Sequence, residues 1–229
     1  MIGIIGAMEE EVEILKDLIK NRETIHKAHV VFYKGQLEDK EVVLAQSGIG
    51  KVNAAITATL LISEFNPTLI INTGSAGSVD PQLNIGDIIV SSKVYYHDAD
   101  ARAFGYKLGQ IPGMPEFYET NENLISSAKS VIEDLELNGI VGEVATADSF
   151  VGSIDQRKVV KENFPNASVV EMEAGAIAQT CYHYEVPIIV TRAVSDLADK
   201  ESDVAFEEFL KVACVNSSKI VKLLLNRVA

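Results

Sequence analysis

Segments with a strand-like hydrophobic pattern alternate with segments of helical period along most of the 229-residue chain. This alternation constrains the fold most, because strands joined by helices favour a central, mostly parallel sheet with helices on both faces. Apolar residues make up 47% of the sequence, which is enough for a sizeable core, and no linker-like stretch divides it. An α/β fold forming a single domain over residues 1–229 is therefore predicted.

Two segments depart from the simple alternation. A hairpin is predicted over residues 28–46, with its turn near 38–40. Residues 97–118 carry no periodic pattern but several aromatic and apolar side chains, so a lid or a partner surface is expected there. The remaining predicted strands cover residues 2–5, 69–71, 85–96, 140–146, 167–170 and a run from 187, and the predicted helices cover 9–20, 52–65, 121–137, 155–163, a segment containing Ile177 and Cys181, and 204–226.

Glu11 lies on the apolar side of the predicted helix over residues 9–20. At about 100° per residue it shares one arc with apolar side chains, whereas the other acids lie opposite. A carboxylate on a buried face is costly unless it is paired or lies in a cleft. Attraction to the positive helix N-terminus explains Glu9 and Glu10 and is the alternative for Glu11. Glu11 is therefore a candidate functional residue, in an arc formed by Val12, Ile14, Leu15, Leu18 and Ile19.

The net charge of −13 argues against two kinds of partner. Nucleic acids and anionic membrane surfaces need clustered Lys and Arg, and the chain has no such cluster. No signal peptide is recognisable, and no apolar run approaches the roughly 18 residues of a spanning helix. Cys181 and Cys214 form no CxxC pair. A cytoplasmic protein with reduced thiols is expected.

Common cofactor and catalytic motifs do not fit this sequence. Residues 48–51 lack the spacing of a phosphate loop, and Gly3 and Gly6 lack the spacing of a dinucleotide-binding turn. The four histidines show no metal-ligand spacing, and no GxSxG segment provides a nucleophilic serine. We therefore expect neither a metal site nor a dinucleotide-binding site.

Polar residues instead gather at the predicted strand ends. In a parallel sheet these ends share one edge, where ligands bind. Each residue has another explanation: turn chemistry for Ser75, a helix start for Glu173, and a helix cap or an Arg192 partner for Asp196. Several carboxylates in one pocket suit acid/base hydrolysis of a bond to a sugar, and one of them can bind a vicinal diol. The set comprises Glu11, Ser75, Glu171, Glu173, Ser195 and Asp196.

Six stretches contain these residues: IGIIGAMEEEV (2–12), SGIGKVNAA (47–55), INTGSAG (71–77), YHDADARAFGY (96–106), FPNASVVEMEA (164–174) and RAVSD (192–196). Together they resemble the 5′-methylthioadenosine/S-adenosylhomocysteine nucleosidases of the nucleoside phosphorylase/hydrolase superfamily. The resemblance implies a three-layer α/β/α fold with a mixed, partly barrel-like sheet, and a homodimer. It implies irreversible N-glycosidic hydrolysis to adenine and a 5-thioribose product in methionine and sulfur salvage, without cofactors. 5′-Deoxyadenosine is an expected further substrate.

The resemblance also implies roles for the matching positions. Glu11 would activate the attacking water, and Asp196 would donate a proton to N7 of adenine, which makes the base a better leaving group. Glu173 would bind the ribose 2′- and 3′-hydroxyls. The resemblance places Ala7, Met8 and Ile49 near the alkylthio group, where Phe206 also lines the pocket, and it places Ser75 and Ser195 in the polar network. Phe150 and the backbone of Val151 would contact the purine, and Met172 would lie beside the ribose. The partner subunit would lend Phe104, Tyr106 and Pro112 to the pocket.

Some positions depart from the family pattern, and the sequence leaves more than one activity open. Thr146-Ala147 replaces Ser-Gly, Gly175 replaces Thr, and Ala101-Arg102 replaces a more apolar pair, so the preference between the two thio-nucleosides is open. A phosphorolytic relative such as a purine nucleoside phosphorylase would need cations around phosphate, where Glu11 stands. The same residues are compatible with a nucleosidase acting on aminodeoxyfutalosine and with a nucleoside-binding protein without activity.

Overall fold

The computed structural model of the protein describes residues 1–197 and 202–228. Its strands are β1 (Ile2–Gly6), β2 (Lys20–Lys27), β3 (Val30–Leu37), β4 (Lys40–Gln46), β5 (Leu69–Ser78), β6 (Ile88–Tyr96), β7 (Tyr118–Glu119), β8 (Gly139–Thr146), β9 (Ala167–Glu171) and β10 (Ile188–Asp196). Its helices are α1 (Glu9–Leu18), α2 (Lys51–Phe65), α3 (Glu122–Asp134), α4 (Ile154–Asn163), α5 (Ala174–Tyr184) and α6 (Ser202–Leu225).

The strands form one mixed sheet that closes on itself at one end. β1 pairs in parallel with β4 and β5, and β4, β3 and β2 extend the sheet as antiparallel neighbours. β5, β10, β6, β8 and β9 pair in a ring, with parallel and antiparallel contacts, and so form a closed five-stranded barrel. The prediction of an α/β fold with a mixed, partly barrel-like sheet is confirmed.

Two apolar layers hold the helices against opposite faces of the sheet. α2 and α5 pack side by side on one face, and α6 lies with α1 and α3 on the other. Successive residues of β1 serve different layers, because side chains alternate across a strand: Ile5 packs with Leu61 of α2, and Ile4 packs with Leu15 of α1. This burial on both faces is the reason that β1 carries no polar side chain and that nearly every residue of β5 is buried.

The structure corrects the predicted helix over residues 9–20. Helix α1 ends at Leu18, and β2, which the prediction missed, begins at Lys20. No side chain of β2 is fully buried, so the strand lacks the apolar alternation that would have revealed it. The helical period puts Leu18 in the apolar arc, yet it is 41% exposed because the arc turns away from the sheet at the helix end. Glu11, by contrast, is buried as the pattern indicated.

Other boundaries shift without changing the order of elements. The turn of the predicted hairpin is present at Glu38 and Asp39, which adopt left-handed backbone angles. Within residues 97–118 the described structure consists of a short 3₁₀ turn at Arg102–Phe104 and an isolated bridge between Asp100 and Leu108, before β7 starts. Among the described helices, none is long and apolar enough to cross a membrane. The single domain over residues 1–229 stays a prediction.

The two leucines of α1 provide a matched test of this packing. Leu15→Ala should lower the free energy of unfolding by about 2–5 kcal/mol, because it leaves a cavity against β1. Leu18→Ala, the same substitution one turn later, should change it by less than about 1 kcal/mol. Urea denaturation at one fixed protein concentration measures both values. Equal losses in the two variants would contradict the assigned facing of α1.

Candidate active site

A cavity of about 480 Å³ opens where the carboxyl ends of β1, β5, β9 and β10 meet. Most of the residues selected from the sequence border it. Val151 lies outside this lining, in a small adjoining recess that shares Phe150 and Met172 with it. The residues bordering the cavity are Ala7, Met8, Glu11, Ile49, Ser75, Ala76, Gly77, Phe150, Val170, Glu171, Met172, Glu173, Ser195, Asp196, Phe206 and Glu207.

Glu11 is held at the start of α1 by hydrogen bonds to both carboxylate oxygens. Oε2 accepts from the backbone N–H of Ala7 at 2.8 Å and of Met8 at 3.2 Å, so the side chain caps its own helix start. Oε1 accepts from both the backbone N–H and the hydroxyl of Ser75, each at 2.8 Å. The carboxylate is therefore buried but fully solvated by protein donors, and it faces the cavity from the end of β1.

Glycines in β5 let the acidic groups approach the strand closely. Gly74 has a φ of +153°, and a Cβ there would lie 2.6 Å from Oε1 of Glu11 and would also press on Nη1 of Arg192. A Cβ at Gly77 would lie 2.8 Å from Oδ1 of Asp196. The small residues of this strand therefore make the room in which the carboxylates sit.

Asp196 lies at the end of β10, with almost no exposed surface. The hydroxyl of Ser195 donates to its Oδ2 at 3.1 Å. A register shift between Val194 and Asp196, opposite β5, accompanies the turn of this carboxylate towards the cavity. Bulges of this kind often re-aim side chains next to active sites.

Glu173 occupies the position just before α5. Its Oε1 accepts a hydrogen bond of 3.0 Å from the backbone N–H of Gly50, and its Oε2 lies 3.8 Å from Nη2 of Arg192. Burial, together with the negative charge of the neighbouring Glu171, raises the pKa of Glu173 from 4.5 to about 8, although Arg192 opposes the change. An extra proton is consequently held among the buried carboxylates near neutral pH.

The other end of the cavity is apolar. The ring of Phe206 meets that of Phe150 edge-on, with centroids 6.0 Å apart and an interplanar angle of 72°. Met8 and Ile49 border the same space. A flat aromatic face beside a narrow apolar groove fits a heteroaromatic ring and a short thioether chain.

Phe104, Tyr106 and Pro112 do not border the cavity of this chain. Phe104 is 82% exposed at the end of the 3₁₀ turn, where Arg102 pairs with Asp100 instead of facing the cavity. Their expected contribution to a partner's pocket is therefore a prediction about an assembly of two chains.

Sequence reasoning missed two groups that shape the site. Arg192 is fully buried and binds Glu171 at 2.5 Å, although the sequence suggested it only as a partner of Asp196. A lone arginine inside the apolar run of β10 was the signal that could have identified it. The backbone N–H of Gly50 has no such signal, because its role depends on tertiary placement. Among the described residues, no group of His, Cys, Asp and Glu could hold a metal.

Comparisons with known proteins agree over nearly the whole chain. A family model described as the phosphorylase superfamily matches residues 1–226. A 5′-methylthioadenosine/S-adenosylhomocysteine nucleosidase from Staphylococcus saprophyticus is 59% identical over 228 residues and covers 100% of both chains. The Neisseria meningitidis nucleosidase in complex with methylthio-immucillin-A superposes with a TM-score of 0.97, at 40% identity and 99% coverage of each chain. The Colwellia psychrerythraea enzyme in complex with adenine gives 0.97 at 44% identity, covering 99% of this chain and 94% of that chain.

The raised pKa of Glu173 predicts a pH dependence of stability. Between pH 4.5 and about 8 the unfolded chain ionises this carboxyl while the folded chain keeps it protonated. The unfolded state therefore binds fewer protons, and the wild type loses stability as the pH rises through this window. The free energy of unfolding of Glu173→Gln, minus that of the wild type, should increase up to about pH 8 and then level off. Urea denaturation across a pH series measures it, and a constant difference would contradict the assignment.

Proposed function

The chain belongs to the phosphorylase superfamily and, within it, to the 5′-methylthioadenosine/S-adenosylhomocysteine nucleosidases; from this premise we propose that Glu11 and Asp196 carry out its reaction. The enzyme hydrolyses the N-glycosidic bond of both nucleosides and releases adenine. One observation carries the assignment: Glu11 and Asp196 are buried and face a single cavity from the ends of different strands. Of two carboxyl groups in different surroundings, one can act as the general acid and the other as the general base.

Glu11 prepares the attacking water. A carboxylate has about four lone-pair sites, and the protein donors at Ala7, Met8 and Ser75 use all of them. Of these donors only the hydroxyl of Ser75 can rotate its hydrogen away from Oε1. That rotation frees one lone pair for a water proton, while the three backbone N–H groups keep the carboxylate in place.

Asp196 acts as the general acid at the base. Adenine is a poor leaving anion, and a proton donated to N7 removes that obstacle. A protonated carboxyl is needed, and Asp196, which is almost fully buried and borders the cavity, is the carboxyl to which we assign this donation. Ser195 holds the orientation of the donor through its 3.1 Å hydrogen bond.

The remaining contacts position the nucleoside between these two groups. Glu173 accepts hydrogen bonds from the ribose hydroxyls, beside Met172. Phe150 stacks on the purine, and the backbone of Val151 reads its edge. The apolar groove holds the 5′-thioether, and the absence of a polar requirement there also admits 5′-deoxyadenosine. This groove is bordered by Ala7, Met8, Ile49 and Phe206.

The electrostatics of the cavity favour water over phosphate as the second substrate. Every titratable side chain among the described residues of its lining is acidic: Glu11, Glu171, Glu173, Asp196 and Glu207. The nearby cation, Arg192, is already bound to Glu171. An incoming phosphate would meet carboxyl groups and no cation among the described lining residues, which disfavours phosphorolysis. We place the reaction in methionine and sulfur salvage, and the cytoplasmic location stays a prediction.

Replacing either carboxyl group should abolish most of the activity. Glu11→Gln and Asp196→Asn should each lower kcat for methylthioadenosine by about 10²- to 10⁴-fold, since each removes a proton-transfer group. Adenine release in phosphate-free buffer measures the rates. Glu10→Gln, the exposed neighbour of Glu11 on α1, is the matched control and should retain wild-type activity. Undiminished turnover in either active-site variant, or a requirement for added phosphate, would overturn the mechanism.

We propose that the enzyme works as a homodimer through the face formed by α2 and α5. These helices lie side by side, joined by a hydrogen bond of 3.1 Å between Ser63 and Tyr184. Their outer face exposes apolar side chains that a monomer would leave in water; Val52, for example, is 68% exposed. This patch is made of Val52, Ile56, Tyr182 and Tyr184, and Phe104 is also exposed. A partner covering it would bring residues 104–112 to the neighbouring cavity.

A charge in this face should separate the subunits. Val52→Glu should shift the protein from dimer to monomer at micromolar concentration and lower kcat/KM with it, because the partner no longer completes the pocket. Val215→Glu is the matched control, since Val215 is an exposed valine on α6, in the opposite layer. Sedimentation velocity and adenine release are measured on the same samples. A wild type that is fully active as a monomer would disprove the shared pocket.

A further inference from the structure

Glu171 closes β9 and borders the back of the cavity, yet no role follows for it from the reaction itself. Its side chain is buried, and both carboxylate oxygens are bound. Oε1 accepts a short hydrogen bond from the hydroxyl of Thr146. Oε2 accepts from the backbone N–H groups of Glu173 at 2.9 Å and Ala174 at 2.8 Å, and from Nη2 of Arg192 at 2.5 Å. All of these donors lie around the carboxylate that we assign to the ribose diol.

The contacts of Glu171 with backbone N–H groups cap helix α5 in an unusual way. A helix start leaves backbone N–H groups without partners, and the residue at the cap position usually binds one of them with its own side chain. Glu173 holds that position but makes no such bond. Glu171 instead takes the N–H groups of Glu173 and Ala174, and Thr146 takes that of Gly175 at 2.7 Å. The carboxylate of Glu173 is thereby left free to face the cavity.

The contact between Glu171 and Arg192 also leaves the side chain of Glu173 free to face the cavity. This fully buried guanidinium is held by Glu171 and by Oδ1 of Asn72, 2.8 Å from Nη2. The Oε2 atom of Glu173 is only 3.8 Å away from Nη2. A buried cation that lost Glu171 would pair with the next carboxylate within reach. Without Glu171, therefore, Arg192 would draw Glu173 away from the ribose.

We infer that Glu171 is a positioning residue that holds Glu173 ready for the ribose hydroxyls, by capping α5 and by occupying Arg192. The inference rests on the diol-binding role proposed for Glu173. It predicts that loss of Glu171 weakens recognition of the ribose hydroxyls specifically, while the purine and thioether contacts persist.

The test compares methylthioadenosine with its 3′-deoxy analogue in phosphate-free buffer. A missing 3′-hydroxyl would leave the buried carboxyl group of Glu173 without its partner, so the wild type should prefer the hydroxylated substrate in kcat/KM by about 5- to 100-fold. Glu171→Gln should reduce this preference to less than about threefold, through a raised KM for methylthioadenosine alone. A merely structural defect would lower kcat/KM equally for both substrates and preserve their ratio, and that result would overturn the inference.

Three further variants keep the outcome clear. Thr146→Val removes the hydroxyl bound to Glu171 and should also reduce the preference, whereas Thr146→Ser keeps the hydroxyl and should retain it. If Glu171→Gln does not fold, the two Thr146 variants test the inference through the same ratio of kcat/KM values. Glu173→Ala supplies the reference without a diol-binding side chain. If it discriminates as well as the wild type, the diol role and the inference both fail. If it loses discrimination while Glu171→Gln and Thr146→Val keep it, only the inference fails.

Discussion

The buried ion pair between Arg192 and Glu171 is the contact on which the rest of the site depends. Three carboxylates, Glu11, Glu171 and Glu173, surround one guanidinium, so the interior carries more negative than positive charge. Such a cluster is stable only where hydrogen bonds satisfy each oxygen and where part of the charge is neutralised by a proton. The raised pKa of Glu173 shows where that proton is held, and backbone N–H donors satisfy both oxygens of Glu11.

The barrel explains how these groups come together. β5 pairs with β1, β9 and β10, so residues distant in sequence end at one rim. Its glycines let side chains from β10 and α1 lie against the backbone instead of against another side chain. Polar groups can therefore be buried at this rim and still be hydrogen-bonded. A strand with only large apolar side chains would leave no room for them. The rigidity of the strands fixes the distances that a proton transfer requires.

The degree to which the sequence predicted the site depended on the kind of contact. Glu11 was recognisable because a helix has a period, and a carboxylate within the apolar arc of α1 conflicts with it. The strand-end residues were recognisable because α/β folds bring such ends together. β2 was missed since none of its side chains is fully buried. The N–H of Gly50 and the pairing of Arg192 with Glu171 could not be foreseen, because each joins segments that only tertiary packing brings into contact.

Thr146 and Gly175, at which the sequence is expected to depart from the family pattern, meet in one contact behind the site. A Cβ at position 175 would lie 2.8 Å from the ring of Tyr96 and 3.0 Å from Cβ of Thr146, so a larger residue there requires the aromatic ring to move. The ring is held by a hydrogen bond of 2.7 Å from its hydroxyl to Gln179. Glycine at 175 therefore fits this placement of Tyr96, and its N–H still reaches the hydroxyl of Thr146. Serine would offer the same hydroxyl, so the chemistry that supports Glu171 survives both departures while the packing around it changes.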